Sequence, residues 1–322
     1  MLRDFQCLRT EIASPCSTSM RLSMSVFVVV GAGPVGRETA RLLAADGHEV
    51  RLVSRSGTAA DGSVIPVALD ARDGDGLAGV SIGAEAVFMC AMAPYTKWPT
   101  DFPPIMEGVA EAAEKLRARL IVLGNVYGYG SEAPSPLTAA VPLAPTSIKG
   151  RVRTAMWERA LAAKVPALEV RASDYLGNGA GSIFTLMTLP SLLAGMPATV
   201  SGDLDALHAW TFTKDVARTL VAASRYSGEW GRAFLVPSQH ASVRSLSVRF
   251  AKLAGIAAPD LRVLSEEDLE ALGREDELMR ELPEMAYLYR RPCIVDASDT
   301  ERLLGVSASS LDTMIEDTLR KD

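Results

Sequence analysis

The chain has 322 residues, 48% of them apolar and 22% charged, with a net charge of −6. That acidic balance argues against a general nucleic-acid binder, and no apolar run approaches the ~20 residues that span a bilayer. Four cysteines and three histidines, scattered without ligand spacing, suggest neither a metal site nor a disulfide framework, leaving a soluble, cytoplasmic α/β protein with no nucleic-acid or membrane partner.

Residues 1–24 mix acids and bases and hold no apolar block of signal-peptide length, so a disordered extension is expected there. The first strand follows as Val26-Phe27-Val28-Val29-Val30, a β-branched run suited to burial on both faces. Directly after it stand Gly31-Ala32-Gly33-Pro34-Val35-Gly36 and a helical stretch to Ala45. Glycines at this spacing, between a buried strand and a helix, read as a dinucleotide-binding turn. Gly31 permits the tight turn, Gly33 lets the backbone approach a pyrophosphate, and Gly36 lets the helix pack on the strand. Pro34 and Val35 open the helix, whose unpaired N–H groups face the phosphates.

The second strand ends in Ser54-Arg55-Ser56, where an NAD site usually has an acid for the ribose hydroxyl. The acid is missing and a planar cation stands in its place, with serine hydroxyls beside it. NADP is therefore expected over NAD, held at its 2′-phosphate by Arg55 and Ser54.

Strands are expected at 63–69, 86–91, 120–123, 167–171 and 233–236, with helices at 104–116, 148–163 and 213–224. Such alternation implies an α/β fold with a doubly wound parallel sheet. After Asn178 the pattern turns more helical, with helices expected at 183–193, 243–253 and 266–282. The cofactor domain is expected to span residues 25–177 plus about 205–240, and a smaller, mostly helical C-terminal substrate domain 178–204 and 241–322.

The order of motifs resembles the extended short-chain dehydrogenase/reductase superfamily, in its NAD-dependent epimerase/dehydratase branch, with a Rossmann sheet. Asp70 matches the acid that contacts adenine. Cys90-Ala91-Met92-Ala93 matches the small-residue strand end under the cofactor, and Gly124-Asn125-Val126-Tyr127-Gly128-Tyr129-Gly130 looks like the Ser-Ser-x-x-Val-Tyr-Gly segment. Arg171 to Gly177 resembles the Arg-x-x-x-x-Tyr-Gly-Pro segment beside the nicotinamide. That likeness assigns Ser173 to the cofactor and Asp174 and Tyr175 to the substrate. Thr211 to Arg218 and Asp296 to Gly305 are similar to the family's later motifs. The resemblance also implies a homodimer through the helices that begin near Pro104 and Ile148.

The departures fall on the catalytic positions. The family's Tyr-x-x-x-Lys pair and preceding Ser align with Lys149, Arg153 and Asn125. Arg153 retains the charge and donors needed to hold the nicotinamide ribose. Lys149, one turn before it, has its pKa depressed by cationic neighbours in this reading and serves as general acid, or else only binds phosphate or solvent. Tyr127, Tyr129 and Tyr175 are alternative donors, and Asn125 is placed to polarise a carbonyl. Tyr95 and Trp98 would wall a small-molecule substrate. The expected function is an NADP-dependent oxidoreductase for a small carbonyl or alcohol. The alternatives are an epimerase, dehydratase or isomerase with tightly bound NAD(P), and a non-catalytic NADP-binding sensor.

Overall fold

In the computed structural model residues 24–58 and 62–320 are described; the expected N-terminal extension lies almost wholly outside them. The strands are β1 Val26–Val30, β2 Glu49–Ser54, β3 Ile65–Ala68, β4 Ala84–Met89, β5 Arg119–Asn125, β6 Ala167–Ala172, β7 Asp174–Leu176, β8 Ala198–Val200, β9 Leu207–Phe212, β10 Arg232–Leu235, β11 Gln239–Ser242 and β12 Leu261–Val263. The α-helices are α1 Pro34–Ala45, α2 Gly74–Val80, α3 Trp98–Leu116, α4 Ile148–Ala162, α5 Leu189–Leu193, α6 Thr213–Ser224, α7 Val243–Ala254, α8 Glu266–Glu275, α9 Glu277–Arg280, α10 Leu282–Met285, α11 Tyr287–Arg290, α12 Ser298–Leu304 and α13 Leu311–Leu319.

Seven strands form one parallel sheet in the order β10-β6-β5-β4-β1-β2-β3. Alternation along each strand feeds two cores. Val28, Val30, Val87, Met89 and Val122 point to the face covered by α3 and α4. Phe27, Val29, Leu52, Phe88 and Ile121 point to the face covered by α1 and α6. This period-2 sharing explains why the central strands read as unbroken apolar runs. The order reverses between β1 and β4, so a crevice opens there at the carboxyl ends of the strands.

Outside the main sheet lie short strands that the sequence pattern did not reveal. β11, β9 and β7 form a three-stranded sheet, and β12 pairs with β8. Their apolar side chains, with Phe184, Phe250, Met314 and Ile315, make a third core. Two expected helices are interrupted. Residues 183–193 hold a π-helical turn, Phe184–Thr188, before α5. The stretch 266–282 breaks at Asp276, whose extended backbone and side chain cap α9 by accepting from Leu278 N at 2.7 Å. Among the described residues no helix is long and apolar enough to cross a membrane.

Candidate active site

A cleft of about 740 Å³ lies over the ends of β1, β2 and β4. Gly31, at φ +112°, is its tightest point. A Cβ there would sit 2.5 Å from the Ala91 backbone N, so glycine alone fits. A Cβ on Gly36 would meet the Gly31 carbonyl at 1.9 Å, the close helix–turn packing that the motif requires. On Gly33 it would meet nothing within 4 Å and would project into open space. Gly33 is the N-cap of α1 without a side-chain cap, and Pro34 opens the helix above the buried Val35. The first-turn N–H groups therefore remain for an anion, and this cradle suits a pyrophosphate.

At the far end of the cleft stand Ser54, Arg55, Asp70 and Arg72. Arg55 has no ion pair or side-chain hydrogen bond among the described residues. Asp70 accepts from Arg72 Nε at 3.0 Å and from its backbone N at 3.0 Å, and this guanidinium holds the carboxyl down at about 2. Arg72 was not foreseen in the sequence. Ser54 Oγ accepts from Thr58 N at 3.1 Å, bending the loop that carries Arg55.

Met92 and Ala93 are shared with a second cavity of about 240 Å³, and Ala91 lies beside them in the cleft floor. Trp98, anchored by Nε1 to the Ala93 carbonyl at 3.2 Å, stacks on Tyr127 at 5.8 Å and packs edge-on to Tyr95 at 5.1 Å. Burial pushes the Tyr95 and Tyr127 phenols up. Asn125 Oδ1 accepts from Tyr127 N at 3.2 Å, leaving its amide donors at the cavity wall. Ser173, fixed by its N–H to Thr211 Oγ1 at 3.0 Å, and Tyr175 complete the sheet side. The opposite wall is apolar: Ile183, Leu186, Met187, Leu278, Met279 and Leu282. Sequence reading missed these six, because an apolar residue in a short helix carries no motif.

Arg153 borders this cavity in an unusual state. Its guanidinium lies 4.5 Å from the Trp98 ring centre and 4.4 Å from that of Phe102, donates to the Leu123 carbonyl at 3.2 Å, and leaves a buried Nε unpartnered. Burial lowers its pKa. It forms no ion pair among the described residues.

Asp174 carries the cavity's carboxyl group, on β7. Its Oδ2 lies 2.7 Å from His208 Nε2 and accepts the Tyr289 hydroxyl. His208 Nδ1 lies 3.2 Å from the Leu288 carbonyl, and its ring stacks on Tyr289 at 4.7 Å. His208 and Tyr289 were also missed; their partners lie 34 and 115 residues away.

A model of the NAD-dependent epimerase/dehydratase family matches residues 26–236. The chain belongs to that family. No curated protein matches the sequence. Among solved structures it is similar to Bordetella bronchiseptica WbmG in complex with NAD, at 21% identity and TM-score 0.73, covering 94% of each chain. WbmH of the same organism, with NAD+, is 18% identical at TM-score 0.73, covering 92% of this chain and 97% of that one. A Bacillus cereus UDP-glucuronic acid 4-epimerase with NAD is 17% identical at TM-score 0.73, covering 91% and 96%. At these identities the likeness concerns the fold. The residues of the cleft fit the nicotinamide dinucleotide that the family's enzymes use.

In this epimerase/dehydratase-family enzyme two expected site residues take other places. Lys149 does not face the cavity as an acid beside Arg153. Its buried ammonium pairs with Glu281 and, at 2.9 Å, with Glu284, and lies 4.4 Å from the centre of the Tyr95 ring. Its backbone N–H also donates to Glu284 Oε1 at 2.7 Å. The short helices after residue 276 bring these carboxylates in, which spacing around Lys149 could not disclose. Tyr129 lies outside the cavity, buried against Arg171, which donates to its hydroxyl at 2.8 Å.

Proposed function

We propose that this enzyme performs hydride chemistry at a hydroxyl-bearing carbon of a compact substrate, as an epimerase, dehydratase or isomerase that retains its cofactor. When bound, the nicotinamide dinucleotide supplies reversible hydride transfer. The observation carrying this reading is that the dinucleotide cleft adjoins, across Met92 and Ala93, a small, largely apolar cavity. In it, residues 25–177 with 205–240 bind the cofactor, and 178–204 with 241–322 close over the substrate. The Gly31–Gly36 turn holds the pyrophosphate, Arg153 orients the nicotinamide end from its place against Trp98 and Phe102, and Asn125 donates to the substrate oxygen. Trp98, Tyr127 and the apolar wall exclude water, which strengthens each polar contact inside. Arg153 is the cavity's one cation among the described residues, which favours a substrate of little charge over the nucleotide sugars named for some structural neighbours.

A second reading, net NADP-dependent oxidation or reduction of a small alcohol or carbonyl, is supported by Arg55, which has no ion pair among the described residues, and by the missing acid at the end of β2. Both readings are tested by loading the chain with NADP+ or NAD+, desalting it, and offering aldehydes, ketones and secondary alcohols. Cofactor retained through turnover, without net absorbance change, supports the first. Stoichiometric cofactor oxidation or reduction supports the second. Failure of either cofactor to bind overturns both.

A further inference from the structure

We propose that Asp174 is the acid–base residue of the cavity, with His208 as the positioning residue that receives and returns its proton. The inference rests on the proposed hydride chemistry for its purpose, but its geometry is independent of it.

The hydrogen-bond pattern fixes where protons lie. The Leu288 carbonyl can only accept, so His208 Nδ1, 3.2 Å away, carries hydrogen. Nε2 then meets Asp174 Oδ2 at 2.7 Å. An unprotonated nitrogen facing an ionised oxygen at that distance is repulsive, so one proton must lie on this axis. The pair is imidazolium with carboxylate or imidazole with carboxylic acid, and is neutral in both forms. The Tyr289 hydroxyl, also on Oδ2, and the stacked Tyr289 ring hold the geometry. Trp210 packs edge-on to His208 at 4.9 Å.

Asp174 Oδ1 has no hydrogen bond among the described residues and is not among their fully buried unpartnered atoms. It is the oxygen left for a substrate hydroxyl. If a bound dinucleotide accepted hydride from the substrate carbon, Asp174 Oδ1 would take the hydroxyl proton while the O–H electron pair became the second C–O bond. The proton already on the pair settles on Nε2, giving carboxylic acid beside imidazolium. The pair would thus gain one positive charge, and the reverse reaction would release it. The titratable groups around the pair are Tyr95, Tyr127, Tyr175, Tyr289 and Cys293 around Asp174, and His240 beside His208. Lys149 is occupied by Glu281 and Glu284 and takes no part.

The test begins with the cofactor-free chain labelled with ¹⁵N-histidine. NMR is expected to show a protonated Nδ1 and a downfield proton shared at Nε2 of His208, and Asp174→Asn should convert Nε2 to the unprotonated type. Saturating cyclohexanol should move the downfield resonance, which a sealed structural pair would not allow. With cyclohexanol and NADP+, Asp174→Asn should slow the single-turnover reduction of the bound cofactor, the half-reaction common to both readings, by roughly 10²–10⁴-fold without changing cofactor affinity, and His208→Gln should slow the same step with affinity likewise unchanged. A free, unprotonated Nε2 in the wild type, a resonance indifferent to cyclohexanol, or full turnover by Asp174→Asn overturns the proposal. Absence of cofactor binding would instead defeat the function proposed above, while the resonance tests still decide the proton's place.

Discussion

One carboxylate grips Lys149 twice: Glu284 Oε2 lies 2.9 Å from its ammonium and Oε1 takes its backbone N–H at 2.7 Å. At Lys149, which the sequence resemblance aligns with the family's tyrosine, this chain carries a latch. Leu278 and Met279 in α9 and Leu282 in α10 line the cavity, and Glu281 and Glu284 on the same segment reach Lys149. The ion pairs therefore tie the segment that forms this wall to α4.

The latch gives an asymmetric prediction. Changing Glu281 and Glu284 together to Gln strands an ammonium whose side chain is only 2% exposed, and should cost about 3–5 kcal/mol. Lys149→Met leaves carboxylates that are 28% and 19% exposed and can turn to water, so a smaller loss of about 1–2 kcal/mol is expected. Its turnover should fall less than the ~10²-fold minimum typical of a lost general acid. Urea denaturation and steady-state rates check both, and a Lys149→Met enzyme without turnover would return the lysine to the donor role.

The cofactor end was legible in the sequence for a physical reason. Gly31, Gly33 and Gly36 act within six residues, and their constraints are set by backbone geometry that one short motif records. Asn125, Tyr127 and Arg153 could be located by register along β5 and α4, and they do border one cavity. Lys149 shows the limit: local spacing put it one turn from Arg153, but its environment comes from carboxylates more than 130 residues away. His208 and Tyr289 were equally hidden, because β9 and α11 meet Asp174 only through tertiary packing.

Two glycines two residues apart should respond oppositely. Gly33 has φ −74°, which valine tolerates, and a side chain there enters open space. Gly33→Val should fold with wild-type circular dichroism and bind neither NADPH nor NADH, since the branched side chain occupies the pyrophosphate cradle. Gly31→Ala should fail to fold, because its Cβ would lie 2.5 Å from Ala91 N at a φ of +112°. Normal cofactor titration by Gly33→Val would reduce the motif to a structural turn.

Arg55 should discriminate between cofactors. It stands at the cleft end with no protein ion pair among the described residues, beside an Arg72 already bound to Asp70. Arg55→Ala should weaken NADPH by about 1.5–3 kcal/mol, the scale of a hydrogen bond to a charged group, and leave NADH nearly unchanged. Fluorescence titration measures both, and equal losses would remove the 2′-phosphate from the explanation.

Alkaline stability should report the buried thiols. Burial pushes Cys90 and Cys293 from 9.0 up to about 12, and Tyr175 from 10.0 to about 12. These groups keep their protons in the folded chain at pH values where the unfolded chain has released them. The folded state then binds more protons, so stability is complete below pH 9.0 and falls as pH rises toward 12. At pH ~10 each thiol should remove ~1.4 kcal/mol, one pH unit above its unfolded value. The tyrosine adds its share only above 10.0. A Cys90→Ala, Cys293→Ala double variant starts from lower stability, since it leaves small cavities, but its loss between pH ~8 and ~10 should be smaller by ~3 kcal/mol. Urea melts at the two pH values decide the matter, and an identical alkaline loss in variant and wild type would show that other groups govern it.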